Sequence, residues 1–292
     1  MPRMLRMLPG RRFLRAAALA GVLAPCLAAQ QPPGTASAAR ALLLPQRIVS
    51  GERATLAVLD AGGRLVPGAS VAFSNGDHVK TDGTGRALFV APLSPGVIFG
   101  SIERRSGRVP TVILTPEEAS ASAIEVSSAP RAATLTDRFE ILGKGFCGDA
   151  DANRVAIAGQ PAVVLASSPA ALVILPPDEL SPGPAAVEIS CAKRPAPALS
   201  ITFVELVLKA DTSPLKPGER RALTVRVRGT TEKVSLEARN LAPKVAELAG
   251  GNPVERVSSG GSENVAHFEV IGQKSGNFLI SIRLVPSLEA PK

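Results

Sequence analysis

Apolar residues in this chain come in short runs, and Gly or Pro closes nearly every one. Phe139 to Leu142 ends at Gly143, Val155 to Ala158 at the Gly159-Gln160-Pro161 turn, and Ala171 to Leu175 at Pro176-Pro177. Ala162 to Ala166 and Val187 to Ser190 have the same length. Breaks recurring about every ten residues leave room for strands and none for packed helices, so the pattern predicts an all-β sandwich architecture. Helical periodicity of useful length is missing after the N-terminal region. The 26 Gly and 26 Pro residues are spread along the chain and act as its punctuation.

The N-terminus obeys another logic. Arg3, Arg6, Arg11, Arg12 and Arg15 precede the apolar run Ala16 to Leu27, which exits through Ala28-Ala29 with no acidic residue before it. This is the charged, apolar and small-residue order of a secretory signal, predicted to span residues 1–29. The run is too short to cross a bilayer as a helix, which takes about twenty residues. Arg11-Arg12-Phe13-Leu14 resembles a twin-arginine signal without the residue that separates the arginines from the Phe, which favours ordinary secretion. Leu23-Ala24-Pro25-Cys26 resembles a lipobox with Pro25 in the place of a small residue; on that reading Cys26 is lipidated.

Cleavage changes the charge and the cysteine count. Removing the five arginines takes the basic residues from 33 to 28 against 25 acidic ones, so the high charge belongs mainly to the signal. No basic stripe is left for nucleic acid, and no Trp or Tyr for base stacking. Of the three cysteines only Cys147 and Cys191 persist, an even pair in an exported chain, and they are expected to form a disulfide, the alternative being two free buried thiols. Zinc spacing is absent.

Residues 30–41 lack periodicity and read as a disordered leader. Over 42–114, alternation at Ala54, Leu56 and Val58 and the turn pairs Asn75-Gly76 and Asp82-Gly83 predict a sandwich. The phrases Val66-Pro67-Gly68-Ala69 through Gly76 and Thr81 through Phe89 resemble bacterial Ig-like and carboxypeptidase-regulatory-like modules. A linker is expected at 115–121. Residues 122–203 resemble the IPT/TIG family of Ig-like domains. The match lies in Ile141-Leu142-Gly143-Lys144-Gly145-Phe146, the Val155 to Val164 hairpin, the Ser168 to Pro177 strand and Pro182 to Ile189. Residues 204–287 alternate cleanly, with Leu223, Val225 and Val227 opposite Thr224, Arg226 and Arg228, and resemble a further bacterial Ig-like module before a tail at 288–292. The expected fold is therefore three tandem Ig-like antiparallel β-sandwiches of about 85–90 residues each.

Sites are sparse. Asp149, Asp151 and Asn153 begin a calcium-loop pattern, but Arg154 stands where such a loop takes Gly, and Gln160 where it takes Glu; a polar turn is expected instead, with Asp149 and Asp151 as weak metal candidates. His78 and His267 are the chain's imidazoles, and no Gly-x-Ser-x-Gly elbow accompanies them. Val257 to Ser262 has the composition of a phosphate loop without its Lys-Ser/Thr ending and reads as a hairpin loop. No catalytic or cofactor-binding residue is assigned. These features imply an exported, periplasmic, surface or secreted protein. It is expected to be non-enzymatic and to serve as an interaction or scaffold module toward a protein or envelope component, with membrane contact only through a lipid anchor. A row of exposed Phe would favour a carbohydrate-binding accessory role, and His78 clustered with buried carboxylates an enzyme.

Overall fold

The computed structural model describes residues 39–119, 123–192, 194–211, 213 and 215–289. The signal, Cys26 and the leader through residue 38 lie outside them. Within them the chain is built almost wholly of strands, in stacked Ig-like sandwiches, with one α-helical turn, α1 (Pro116–Ala119), a 3-10 turn (Ala150–Ala152), and no helix long and apolar enough to cross a membrane.

The first module contains β1 (Ala41–Leu43), β2 (Arg47–Val49), β3 (Arg53–Leu59), β4 (Ser70–Phe73), β5 (His78–Lys80), β6 (Arg86–Val90), β7 (Gly96–Ile102) and β8 (Val109–Leu114). One sheet runs β2-β8-β7-β4-β5 and the other joins β1 and β6 to β3. Asn75-Gly76 turns β4 into β5, and Gly76 takes the positive φ that favours Gly. The Asp82 carboxylate accepts from the amides of Thr84 and Arg86 and from the Thr84 hydroxyl, closing the turn before β6. Ile48, Leu56, Val58, Val71 and Phe73 form the core between the sheets, with Phe73 stacked on Phe89.

The middle module contains β9 (Glu125–Pro130), β10 (Ala132–Thr134), β11 (Phe139–Lys144), β12 (Asn153–Ile157), β13 (Gln160–Ser168), β14 (Ala171–Leu175), β15 (Gly183–Cys191), β16 (Arg194–Pro195) and β17 (Leu199–Lys209). The turn from β12 to β13 is Ala158-Gly159, both at positive φ, so Gln160 and Pro161 already belong to the strand and not to the turn. β13 pairs with β12 from Gln160 to Ala162 and with β14, in the other sheet, from Val163 to Ser168, and the register against β14 shifts between Val164 and Ala166. A bulged strand of this kind makes a corner of the sandwich. Phe139 meets Phe203 edge-on at 5.7 Å in a core with Ile141, Ile157, Leu172 and Val187.

The third module adds β18 (Arg220–Arg228), β19 (Ser235–Asn240), β20 (Ala246–Leu248), β21 (Val254–Val257), β22 (Val265–Gly272), β23 (Ile280–Leu284) and β24 (Leu288–Glu289). β20-β22-β18-β17 faces β21-β19-β23 across Leu236, Leu248, Val225 and Phe268.

Both joints are built into the sheets. β3 hydrogen-bonds to β13 where Thr55 meets Ser167, so the first module's sheet extends the middle module's. A separate apolar cluster of Leu43, Ala57, Leu59, Leu165, Ala166 and Val173 fills the contact between them. β17 crosses the second joint without interruption: Leu199 to Phe203 pairs with β15, and Glu205 to Lys209 pairs with β18. Phe203 is buried in the middle core and its neighbour Val204 in the third. The residues expected to start a tail instead form β24, which pairs with β9 at Leu288↔Pro130 and Glu289↔Ala129.

Candidate functional site

Cys147 and Cys191 are disulfide-bonded with Cα atoms 5.6 Å apart. The bridge ties the loop after β11 to the end of β15. Asn153 reinforces it, accepting the Cys147 N–H at 3.0 Å and donating Nδ2 to the Cys147 carbonyl at 2.8 Å.

The Asp149-x-Asp151 turn that follows has work of its own at the first joint. Asp149 caps a 3-10 turn (Ala150–Ala152) by accepting the Asp151 N–H at 3.0 Å. Asp151 pairs with Arg86 of the first module at 2.9 Å. The Gly148 carbonyl accepts the hydroxyls of Thr55 at 3.3 Å and Ser167 at 2.7 Å, while Thr55 Oγ1 accepts the Ala150 N–H at 3.2 Å. A Cβ on Gly148 would lie 1.9 Å from the Arg53 carbonyl oxygen, so only glycine permits this approach. The two aspartates thus serve a docking turn, and among the described residues no group of three or more His, Cys, Asp or Glu side chains is placed to hold a metal.

His78 pairs with Glu103 at 3.1 Å, but the side chains are 63% and 44% exposed, which makes this a surface contact. His267 stands on the outer face of β22 beside Thr224, at 3.2 Å. The segment Val257 to Ser262 is a pinned hairpin loop. Asn264, itself buried, accepts the Gly260 N–H and donates to the Glu232 carbonyl, and Ser258 Oγ accepts the Val234 N–H. Of the eight described Phe residues only Phe99 is exposed, at 40%, so the aromatic rings form no row.

The feature that gathers chemistry from every module is a cleft of about 710 Å³ beside the first joint. Leu42 and Leu44, Pro110, Phe139 with Glu140, and Leu288 come from its different walls. A cavity of that size falls within the range of ligand pockets, about 300–1,000 Å³. Glu140 is its most perturbed group. It lies on β11 directly opposite Val173, on the sheet face that the first module covers. Burial pushes its carboxyl up to about 7, against the opposing pull of the Gln46 N–H at 3.1 Å and the charge of Arg47. The same short edge strand is held from the other side, where the Ser168 hydroxyl donates to the Arg47 carbonyl. Middle-module side chains therefore cap the backbone at the start of β2, at Gln46 and Arg47. Asp137 with Arg138, and Arg283 paired to Glu237 at 3.0 Å, complete the charged rim.

No known family profile matches the chain. No curated protein matches it either. Among solved structures it is similar to SGBP-B of the Bacteroides ovatus mixed-linkage glucan utilization locus, in complex with a mixed-linkage heptasaccharide. The identity there is 12%, over 86% of this chain and 75% of that one, with a TM-score of 0.32. It is similar also to FdeC, an Escherichia coli adhesin (13% identity, 85% and 95% covered, TM-score 0.24), and to the Yersinia pseudotuberculosis adhesin InvE (13%, 87% and 58%, TM-score 0.23). At these scores the likeness carries neither function nor partner over to this chain.

Sequence reading missed Glu140 for a physical reason. Its neighbours Phe139 and Ile141 point into the core, so strand alternation assigns Glu140 to water. Only the first module, far away in sequence, covers that face. The same alternation assigns Thr55, Ala57 and Leu59 to solvent, yet all three are buried.

Proposed function

We propose that this is an exported, non-enzymatic Ig-like protein of the cell envelope or surface, which binds a protein or envelope component in the cleft shared by its modules. Export follows from the Arg-rich start and apolar run of residues 1–29, with processing near Ala28 to Gln30, and an oxidising compartment agrees with the Cys147–Cys191 bond. In this reading the chain divides into modules at 42–114, 122–203 and 204–287. The middle one is of IPT/TIG type, and Cys26 is either removed with the signal or carries a lipid.

One observation carries the functional part. The cleft takes its walls from three modules whose joints are hydrogen-bonded and packed, so its shape is set before any partner arrives. Pre-formed concave sites of mixed apolar and charged lining suit binding, because little ordering entropy is lost on association. The surface character of the His78–Glu103 pair and the lone exposed Phe99 give no support to an enzyme or to an aromatic sugar platform.

Site-specific photo-crosslinking in the native envelope tests the reading. A photoreactive residue in place of Pro110 or Leu288 is expected to yield a discrete adduct, and the same residue at Ser262, on a loop of the third module, is not. Adducts from Ser262 alone, or none from the cleft, would overturn the assignment. N-terminal sequencing of the native protein checks export: retention of Met1 to Leu27 contradicts it.

A further inference from the structure

The third module ends, on the side away from the middle module, in a cluster of loops between β17 and β18, β19 and β20, and β22 and β23. Strand directions require this, since β17 runs out of the middle module to Lys209 and Arg220↔Ile271 and Ala246↔Gly272 pair at that same end. Two large apolar side chains stand on the crest, Leu241 at 57% and Leu279 at 62% exposure. They are neighbours, because the Leu241 N–H donates to the Leu279 carbonyl at 2.9 Å.

The loops bearing them are fixed to each other. The backbone N–H groups of Gln273 and Lys274 both donate to the Val245 carbonyl, at 2.9 and 3.1 Å. A Cβ on Gly276, which has φ of 150°, would come within 3.2 Å of the Val245 side chain, so the β22–β23 loop lies flat on the β19–β20 loop. This sets Lys244 and Lys274, on the two loops that meet at the Val245 carbonyl, at the same end of the module as the leucine pair. Both lysines are exposed, and among the described residues neither has an ion-pair partner.

Two acids of the same end, Asp211 and Glu247, are hydrogen-bonded by neutral groups and keep their charge, and the exposed lysines there, Lys209, Lys216, Lys244 and Lys274, outnumber them. Asp211 accepts from the amide and hydroxyl of Ser213, at 2.9 Å each. Glu219 accepts the Lys216 N–H at 2.9 Å and pairs with Arg221 at 2.7 Å, and Glu247 accepts Gln273 Nε2 at 2.9 Å. The surface thus offers two adjacent apolar knobs and, at the same end, cations without ion partners. An aqueous surface gains nothing from exposing such knobs, while an anionic bilayer rewards both features: apolar side chains enter the acyl boundary and lysines meet the headgroups.

We propose that this end of the third module is a docking tip for an anionic phospholipid surface, with Leu241 and Leu279 inserted and Lys244 and Lys274 on the headgroups. It is a second surface, separate from the cleft, and gives the protein membrane contact that needs no lipidated Cys26. Its fit to phospholipid over protein rests on charge: lysine ammonium groups on loop crests meet a dispersed field of phosphates without requiring a shaped counterpart.

Vesicle flotation of the chain from Gln30 onward tests it, with phosphatidylglycerol–phosphatidylcholine vesicles against phosphatidylcholine alone. Binding to the anionic vesicles is expected, weakening as salt is raised. Lys244→Gln and Lys274→Gln should each lower affinity about fivefold, and Leu241→Ser with Leu279→Ser about a hundredfold. These exposed positions should leave the unfolding midpoint unchanged, which separates docking from misfolding. Equal binding to neutral vesicles, no flotation at low salt, or indifference to the paired leucine change would overturn the proposal. So would a discrete protein adduct from a photoreactive residue in place of Leu279 in the native envelope, because that outcome assigns the tip to a protein partner. Cleft crosslinking and tip flotation read different surfaces, so either can fail alone.

Discussion

Replacing Glu140 by Gln tests the electrostatics of the cleft. The Glu140 carboxyl is raised from 4.5 to about 7, with desolvation the largest cause. A raised carboxyl pKa means that the folded state holds its proton after the unfolded chain has released it. Folding is then unaffected by this group below about pH 4.5, and loses stability as pH rises from there to about 7, where the loss is complete. At 1.36 kcal/mol per pKa unit the full shift corresponds to about 3 kcal/mol, and residual solvent contact at the cleft lowers this to about 1–3 kcal/mol. Gln keeps an oxygen to accept the Gln46 N–H and carries no charge to desolvate. Glu140→Gln should therefore be more stable than wild type by about 1–3 kcal/mol at pH 8 and equal to it near pH 4. Urea unfolding of both proteins across that pH range measures the difference directly. A variant less stable at pH 8, or a difference independent of pH, would refute the burial account of this residue.

Cys147→Ala should cost about 2–4 kcal/mol, since the bridge closes a loop with a sequence separation of 44; an unchanged midpoint under non-reducing conditions contradicts this. Gly148→Ala drives a Cβ into the Arg53 carbonyl, so we expect a loss of about 1–3 kcal/mol. Faster amide exchange around Thr55 and Ser167, with protection kept in the third module, would place that loss at the joint. A fragment of residues 122–204 exposes Leu165, Ala166 and Val173, so it should unfold earlier than a fragment of 39–204, by about 3 kcal/mol or more. Equal midpoints would mean that the first joint adds no stability.

Fold class was legible because each module's inner face obeys strand alternation. Leu223, Val225 and Val227 are buried where the pattern puts them, and the Asn75-Gly76 and Asp82-Gly83 pairs stand at turns. Joints were not legible, because a joint is written in the outward residues of two distant segments. Thr55 and Ser167 look like ordinary polar positions until they meet across the sheet edge. Gly148 directly precedes the expected polar turn of Asp149 and Asp151, and only its approach to Arg53 reveals a docking point. Glu140 belongs to the same class: its chemistry comes from burial and from Gln46 and Arg47, which no local window connects to it. The leucines at the free end of the third module sit in loops, where periodicity has no bearing, and the pairing of their backbones alone makes them neighbours.

The β3–β13 pairing and the uninterrupted β17 hold the modules in one fixed array. Pulsed electron–electron double resonance between spin labels at Asn75, in the first module, and Glu263, in the third, measures the spread of that array. A single distance distribution, no wider than that of a label pair placed within the middle module, is expected. A broad or multimodal distribution, with the Cys147–Cys191 bond intact, would mean that the modules swing independently, and the pre-formed cleft would be lost with them.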